Sequence, residues 1–354
     1  MNFVFHDKVI SGLLTVLPRN EVKFEDEMAN YNFSIAKSLK LKTALGYNRR
    51  RVVEKDVCAS DLCIYGLNYL FEKELLKREE IDALVLVSQS PDYFMPPTSN
   101  LIQGHFNLKQ DVFCLDINQG CAGYIIGIFQ AFMLLEQSAI KKVVVLNADV
   151  LSRKVSKKDR NSSPLIGDGA SVTVIERSTE KTVIHANLKM DGTGATALII
   201  PAGGFKYPSN VSTAVLHEDA AGNSRALDNL VMKGDEVFNF VQREVPPMID
   251  DLLKNSNIKK EQVDFFMFHQ PNKFMLQKLA DKLGVPHEKM PNMIVEKFGN
   301  SSGVSIPTTI SYTLGEELMR RRYCLCLAGF GVGLTWASLI LNLGKLEFCQ
   351  LIEF

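Results

Sequence analysis

The chain of 354 residues lacks several features that would assign it to a class at once. No run approaches the roughly 18 apolar residues that a membrane-spanning helix needs, and the first residues lack the basic region and apolar stretch of a signal peptide. The 40 basic residues balance 40 acidic ones, so no excess charge indicates a nucleic acid or membrane surface as partner. We therefore expect a cytoplasmic protein without membrane insertion.

Cysteines are few and scattered, and no pair of CxxC motifs is present. We therefore expect no metal site. The cysteines number seven, and an odd number suits free thiols in a reducing compartment. With 46% hydrophobic and 23% charged residues the composition is that of a globular protein, and the length suits two halves that share an interface.

One cysteine stands out by its position. Cys121 follows an apolar run that predicts a buried strand, 111–117, and precedes one that predicts a helix, 122–137. The thiol would lie at a helix N-terminus, where unpaired N–H groups and the helix dipole lower its pKa and make it nucleophilic near neutral pH. A plain core cysteine is the alternative that this segment leaves open.

Short apolar runs alternate with longer amphipathic ones, which predicts an α/β fold. Strands are predicted at 81–88, 111–117, 142–148, 170–175, 264–269, 324–328 and 334–341. Helices are predicted at 101–108, 122–137, 236–253 with an interruption at Pro246-Pro247, 273–283 and 303–321. Residues 201–230 are rich in Gly, Ser, Asn and Ala and predict a surface excursion, either a cover over a tunnel or a disordered loop.

Several motifs accompany Cys121 in a fixed order. They are Ile166-Gly-Asp-Gly-Ala170, Met232-Lys-Gly-Asp-Glu-Val-Phe238, His269-Gln-Pro-Asn272, Gly299-Asn-Ser-Ser-Gly-Val-Ser-Ile-Pro307 and Gly331-Val-Gly-Leu-Thr-Trp336. Each alone is typical of a turn or of a structural histidine. Together they resemble the ketoacyl-acyl carrier protein synthase III family of the thiolase superfamily, from about Leu45 to Leu341, with a poor fit at 201–230.

The resemblance implies a thiolase fold, with duplicated mixed five-stranded sheets in an αβαβα arrangement and halves at 1–178 and 179–354. It implies a homodimer that needs no cofactor, because its substrates are thioesters of coenzyme A or phosphopantetheine. The implied reaction is a decarboxylative Claisen condensation of an acyl-CoA or acyl-acyl carrier protein with malonyl-acyl carrier protein, giving a 3-oxoacyl product. The acyl chain, and the choice between fatty acid biosynthesis and a specialised pathway, stay open.

The resemblance also assigns catalytic roles. Cys121 would take up the acyl group, while its own N–H and that of Val332 hold the oxyanion. His269 and Asn300 would be two neutral donors to the enolate that forms when CO2 leaves. Because asparagine cannot take a proton, Asn300 favours carbon–carbon bond formation. The alternatives are acyl transfer to an oxygen or nitrogen acceptor, a thioesterase, and a non-catalytic scaffold.

Substrate-binding positions follow the family only in part. Arg160 fits the arginine that holds the adenine of coenzyme A, but the partner tryptophan is missing, because the only tryptophan is Trp336. A carrier protein, coenzyme A bound in another way, or both stay open. The run Arg49-Arg50-Arg51 would replace a basic group near the phosphates. Asn272 would contact the substrate, and Met95 would gate the acyl pocket across a dimer interface or be a plain interface or core methionine.

Three lysines lie in the predicted helix that follows the histidine motif. Lys273, Lys278 and Lys282 either form a basic rim that docks an acidic carrier protein or are ordinary solvated lysines of a surface helix.

Overall fold

Two mixed β-sheets are the framework of the computed structural model, which describes residues 1–354. Its strands are β1 Asn2–His6, β2 Lys8–Leu17, β3 Glu21–Lys23, β4 Arg49–Arg51, β5 Ala83–Val87, β6 Phe113–Ile117, β7 Lys142–Asp149, β8 Gly169–Arg177, β9 Val183–Met190, β10 Leu198–Ile199, β11 His217–Glu218, β12 Ser224–Arg225, β13 Val231–Met232, β14 Phe265–Phe268, β15 Arg322–Gly331, β16 Thr335–Gly344 and β17 Phe348–Glu353. Its α-helices are α1 Phe24–Glu27, α2 Ile35–Leu45, α3 Ala59–Glu72, α4 Thr98–His105, α5 Gly123–Leu134, α6 Gly234–Ser256, α7 Lys273–Leu283, α8 Ile294–Phe298, α9 Ser305–Thr313 and α10 Glu317–Arg320. The α/β class is confirmed.

The two sheets differ in size. One has six strands in the order β17-β2-β8-β7-β5-β6, and the other has five in the order β1-β9-β16-β15-β14. The expectation of two five-stranded sheets is wrong for the first, because β17 pairs in parallel with β2 and adds a strand. Gly12 makes this pairing possible, since a Cβ there would lie 2.3 Å from the Phe348 ring.

The terminal strands cross between the halves of the chain. Strand β1 pairs with β9 in the five-stranded sheet, whereas β17 joins the six-stranded sheet. The division at 178/179 stays a prediction, and these two strands do not follow it.

Helices α5 and α9 lie between the sheets. Ile125, Ile128 and Phe132 of α5 and Ile310 of α9 are buried in one core with side chains of both sheets. A helix covered on all sides carries apolar residues all round, as α5 does. Helices α3 and α4 cover the outer face of the six-stranded sheet. Helices α6 and α7 cover the outer face of the five-stranded sheet. The five layers αβαβα are therefore present as expected.

Some element boundaries differ from the predictions. Helix α6 continues through Pro246-Pro247, because its buried face, which includes Val241 and Met248, packs on the second sheet and offsets the cost of the prolines. The predicted helix 303–321 is divided into α9 and α10 around Gly315, whose φ is 46°. Every helix is too short or too polar to span a membrane.

The segment 201–230 is ordered. It contains the short hairpin β11-β12 and buries Ala202, Asn223, Ala226 and Leu230 against the rest of the protein. The disordered-loop alternative is therefore wrong, and Leu230 lines the large cavity described below.

Candidate active site

Cys121 lies in the turn between β6 and α5, just before the helix begins at Gly123. Strand β15 passes directly against it. A Cβ built on Gly331 would lie 2.7 Å from Sγ of Cys121, and one on Gly329 would lie 2.7 Å from its carbonyl oxygen. Only glycine allows this close approach, which explains part of the glycine-rich motif.

The structure brings the three residues of the proposed catalytic set together. Cys121, His269 and Asn300 line one narrow cavity of about 70 Å³. Only 2% of His269 and 7% of Asn300 is exposed, so bulk water does not compete for their polar atoms. Residues far apart in the sequence therefore share a single desolvated site.

Asn300 is held by its backbone and by one side-chain atom. Its N–H donates to the carbonyl of Leu165 at 2.8 Å, and its carbonyl accepts the N–H of Gly167 at 3.0 Å. Its Oδ1 accepts the N–H of Ser302 at 2.9 Å. The amide oxygen thus has a hydrogen-bond partner, which leaves the NH2 group as the free end of the side chain. This group donates hydrogen bonds but does not act as an acid or a base.

His269 is the residue after β14 and is anchored on β15 through its N–H, which donates to Ala328 at 2.8 Å. Its Nδ1 lies 3.1 Å from the carbonyl oxygen of Ser302 and 2.8 Å from Oγ of Ser305. The ring edge that carries Nδ1 is therefore occupied. Nε2 is left as the ring nitrogen without a hydrogen bond to the protein.

Ser302 supports both side chains through its backbone. Its N–H binds Asn300 and its carbonyl binds His269, which requires a sharp turn with φ 57°. This left-handed conformation costs energy for a non-glycine residue. The strain at Ser302 fixes the relative placement of the histidine and the asparagine.

The expected pKa of Cys121 is wrong in direction. Burial, the largest effect, raises the pKa of the thiol to about 11, and the negative charge of Asp149 adds to the rise. The backbone N–H groups of Val332 and Cys121 oppose it, because both favour the thiolate. The prediction considered the helix terminus only, because the sequence does not show how far the fold removes the sulfur from water. The thiol is therefore protonated at neutral pH.

Two other titratable groups are shifted. Burial lowers the pKa of His269 to about 4, so the imidazole is neutral at pH 7. Burial raises the pKa of Asp149 to about 7. Oδ1 of Asp149 accepts the N–H of Gln89 at 2.8 Å, while its buried Oδ2 has no hydrogen-bond partner.

The backbone N–H groups of Val332 and Cys121 lie near the sulfur and favour its thiolate form. Two backbone donors that converge on one spot can hold a negatively charged oxygen that forms there. The oxyanion-binding role of these two N–H groups stays a prediction.

Cys121 also lines a second, larger cavity. Its volume is about 410 Å³, within the usual size range of small-molecule sites. Asn300, Ser302 and Val332 border it near the sulfur. The rest of its wall is mostly apolar and includes Leu151, Leu165, Ile166, Ile200, Leu230 and Met232. Cys121 and Asn300 therefore line both the apolar chamber and the narrow cavity with His269.

An aromatic partner for Arg160 is present, contrary to the sequence interpretation. The guanidinium of Arg160 lies 4.6 Å from the ring centroid of Phe33, and its Nη1 donates to Asn223 at 3.1 Å. The interpretation considered only tryptophan. Phenylalanine offers a smaller but similar face, and its contact with Arg160 depends on a loop path that sequence does not reveal.

The three consecutive arginines do not offer a basic group for phosphates in the way expected. Arg50 is buried and paired with Glu27. Arg51 donates to the carbonyls of Pro18 and Arg19. Alternate side chains of strand β4 point in opposite directions. Only Arg49 is exposed, and its Nη1 lies 3.2 Å from a carboxylate oxygen of Glu21.

The remaining predicted positions have mixed placements. Asn272 lines the narrow cavity and caps α7 by accepting the N–H of Met275 at 2.8 Å. Met95 is 77% exposed and does not line either cavity of its own chain, so it is not a core methionine. Its place in a partner's pocket stays a prediction.

The three lysines of α7 are all engaged locally. Lys273 pairs with Glu296 at 3.3 Å, Lys278 pairs with Asp281 at 3.3 Å, and Lys282 donates to the carbonyl of Gln242 at 2.8 Å. These contacts reduce the net positive field of the helix. The basic rim for a carrier protein stays a prediction.

Sequence reasoning missed four residues of the site: Phe33, Asp149, Ser302 and Ser305. The two serines belong to the motif 299–307, where only Asn300 was given a role. A signal was available, since small polar residues in a glycine-containing turn often bind neighbouring backbone groups.

No group of three or more His, Cys, Asp or Glu side chains is arranged to hold a metal ion.

Two family models match the sequence. Residues 115–192 match the model described as 3-oxoacyl-[acyl-carrier-protein (ACP)] synthase III. Residues 253–343 match the model of the C-terminal part of the same family. The first match contains Cys121, and the second contains His269 and Asn300.

Relatives match over most of the chain. A beta-ketoacyl-[acyl-carrier-protein] synthase III of Clostridium tetani is 31% identical over 305 residues, 85% of this chain and 89% of the relative. The crystal structure of a 3-oxoacyl-(acyl-carrier protein) synthase of Burkholderia xenovorans has a TM-score of 0.92 at 33% identity, covering 100% of this chain and 99% of that chain. The synthase III structure of Thermus thermophilus has a TM-score of 0.79 at 28% identity, covering 95% and 99%.

Proposed function

The chain belongs to the 3-oxoacyl-[acyl-carrier-protein] synthase III family of condensing enzymes and has the thiolase fold, and on this premise we propose how its residues perform the condensation. Cys121 takes an acyl group from a thioester, and the acyl group then joins the two-carbon unit of a malonyl thioester, with loss of CO2. The observation that carries the proposal is the convergence of Cys121, His269 and Asn300 on one buried cavity.

In the first step the sulfur of Cys121 attacks the carbonyl carbon of the donor thioester. The carbonyl oxygen becomes negative, and the N–H groups of Cys121 and Val332 bind it. Because the thiol is protonated at pH 7, its proton must pass to a base during attack; the neutral ring of His269 is available at Nε2. The donor leaves as a thiol with that proton, and an acyl-Cys121 thioester remains.

In the second step the malonyl thioester loses CO2, and the electron pair stays on its α-carbon as an enolate. Asn300 donates to the enolate oxygen through its free NH2 group, and His269 donates through Nε2 when that nitrogen carries the proton. The enolate carbon then attacks acyl-Cys121, the C–S bond breaks, and the product is a 3-oxoacyl thioester. The thiolate of Cys121 takes up a proton.

The two cavities bind different parts of the substrate. The apolar chamber of about 410 Å³ suits the acyl chain. The narrow cavity of about 70 Å³, which Asn272 and Met275 border, suits the thin pantetheine arm that delivers the thioester. The size of the chamber favours acyl groups longer than acetyl.

For a coenzyme A donor, the adenine ring enters between Phe33 and Arg160 after the two side chains separate, because they are in direct contact with each other. The aromatic face and the guanidinium are 4.6 Å apart across a partly exposed surface, and both stack on flat rings. An acyl carrier protein as donor, and malonyl-acyl carrier protein as the second substrate, are proposed from the family alone.

A homodimer is also part of the proposal. Strand β6, which leads to Cys121, is the free edge of the six-stranded sheet, and an unpaired edge is a site for strand addition. In the segment between β5 and α4, Tyr93, Phe94 and Met95 are 62%, 75% and 77% exposed, an apolar group that a second copy would cover. Seven unpaired cysteines support the proposal of a cytoplasmic location.

The test is intact-protein mass spectrometry of wild type and Cys121→Ala with a panel of acyl-CoA and acyl-acyl carrier protein donors. We expect the mass of one acyl group on wild type and none on Cys121→Ala, followed by release of a 3-oxoacyl product and CO2 when malonyl-acyl carrier protein is added.

Other outcomes separate the alternatives. Product formed only with an amine or hydroxyl acceptor would indicate the acyltransferase, and free acid as the sole product would indicate a thioesterase. A wild-type protein that acquires no acyl group from any donor would contradict the proposal and favour a scaffold.

A further inference from the structure

Ser305, the first residue of α9, contacts the catalytic histidine from the side opposite to the substrate. Its Oγ lies 2.8 Å from Nδ1 of His269 and 2.8 Å from the carbonyl oxygen of Ser302. It also accepts the N–H of Gln270 at 3.1 Å. Ser305 is fully buried, so no bulk water replaces any of these contacts.

The hydroxyl has one hydrogen and two places for it. One lone pair always serves the N–H of Gln270. The hydrogen can point to the carbonyl of Ser302, in which case the other lone pair accepts N–H from Nδ1 of His269. The hydrogen can instead point to Nδ1, in which case Nδ1 is bare. A hydroxyl rotates freely enough to serve as donor in either direction.

Both arrangements satisfy each polar group that contacts the Ser305 hydroxyl. When the hydroxyl turns toward His269, the carbonyl of Ser302 still accepts the backbone N–H of Ser305. A newly unpaired buried group would make one arrangement costly, and neither rotation of the hydroxyl leaves one of its partners unpaired. The two arrangements differ only in the hydroxyl rotation and in which ring nitrogen carries the proton.

We propose that Ser305 is a positioning residue that allows His269 to carry its proton on Nδ1 during acylation and on Nε2 during decarboxylation. In the first state the bare Nε2 accepts the proton as the S–H bond of Cys121 breaks, and passes it to the leaving thiolate of the donor. In the second state Nε2–H donates a hydrogen bond to the enolate oxygen and keeps its proton. This inference rests on the proposed condensation.

The other contact of Nδ1 does not allow this choice. The carbonyl of Ser302, at 3.1 Å, can only accept a hydrogen bond. Without the Ser305 hydroxyl, the lone pair of an unprotonated Nδ1 would face a lone pair of that carbonyl oxygen, and the two would repel each other. The variant Ser305→Ala therefore retains the Nδ1–H state and disfavours the state in which Nε2 is a donor.

The first experiment compares the two half-reactions in Ser305→Ala. We expect acylation of Cys121 to slow by less than about threefold and the release of CO2 from a malonyl thioester to fall about 10²-fold, the effect of losing one preorganised donor. Ser305→Thr, which keeps the hydroxyl, should recover most of the decarboxylation. The control is Thr308→Val, which removes a buried hydroxyl from the same helix that binds only the carbonyl of Val304.

The second experiment reads the tautomer itself by ¹⁵N NMR of histidine-labelled protein without substrate, with the His269 signals assigned by their loss in His269→Gln. Wild type should show a population with Nε2 protonated, and Ser305→Ala should show only the Nδ1-protonated ring. If Ser305→Ala does not fold, Ser305→Cys takes its place, because its S–H is a weak donor and should give the same change in smaller degree.

Two results would overturn the inference: acylation and decarboxylation that fall by the same factor in Ser305→Ala, or an unchanged tautomer population. Failure of the proposed function has a different signature, because wild type would then form no acyl-Cys121. The tautomer measurement needs no substrate and so tests Ser305 independently.

Discussion

The N–H of Ser302 donates to Oδ1 of Asn300 at 2.9 Å, and this contact decides which end of the amide is free. With the oxygen engaged, the NH2 group is left to face the narrow cavity that Asn300 shares with Cys121. An asparagine held in this way can donate a hydrogen bond to an anionic oxygen and can do no proton chemistry. The choice of asparagine thus suits enolate stabilisation.

Asn300→Asp should separate folding from function. The carboxylate keeps an oxygen that accepts the N–H of Ser302, but it replaces the NH2 donor with a second oxygen that repels the enolate. We expect decarboxylation to fall about 10²–10³-fold, measured as CO2 released from malonyl thioester by enzyme already acylated at Cys121. The thermal unfolding midpoint is the control for folding. Decarboxylation within about threefold of wild type would contradict the donor role.

The reactivity of Cys121 should follow its raised pKa. Because burial raises the pKa of the thiol to about 11, its alkylation rate with iodoacetamide should keep rising above pH 9, with no plateau below about pH 10. The measurement is mass spectrometry of the Cys121 peptide, with the partly exposed Cys58 in the same sample as the reference thiol. A plateau near pH 7 would show instead that the helix terminus dominates.

Asp149 should make the protein less stable as the pH rises. The native state keeps this proton up to about pH 7, whereas an unfolded aspartic acid releases it near pH ~4. Between these values the native state binds more protons, so the free energy of unfolding falls with increasing pH. The nearby ionisable group, Cys121, stays protonated throughout this range.

Asp149→Asn removes this dependence. Relative to wild type, it should gain about 2 kcal/mol or more in unfolding free energy between pH 4 and pH 8, measured by urea unfolding at intervals of pH. Asp56→Asn, at an exposed position, is the matched control and should follow wild type. An Asp149→Asn curve parallel to that of wild type at all pH values would show that the carboxyl is not the cause.

The contact between Phe33 and Arg160 predicts a preference among donors. Phe33→Ala should raise the KM for an acyl-CoA about tenfold, because stacking of a base on an aromatic ring is worth about 1–3 kcal/mol. The same acyl group on pantetheine, which has no adenine, is the control substrate and should show no such change. Equal effects on both donors would mean that Phe33 acts on the fold.

Much of the secondary structure follows from local patterns. Helix α7 matches its predicted bounds of 273–283 and ends at Gly284 in the left-handed conformation, since an amphipathic repeat and a terminal glycine are both local signals. Strand β17 was missed, because its parallel pairing with β2 joins residues at opposite ends of the chain. Helix α6 was expected to break at its prolines, a local rule that tertiary packing overrides.

The sequence by itself determined the α/β class, the family motifs and the choice of Cys121, His269 and Asn300 as candidate site residues, because residue type and order carry that information. Only the tertiary structure decided the protonation of the thiol, the free end of the Asn300 amide and the contacts of His269 with Ser302 and Ser305. These properties depend on burial and on distances between atoms from separate segments, and no local pattern encodes how closely separate segments approach one another.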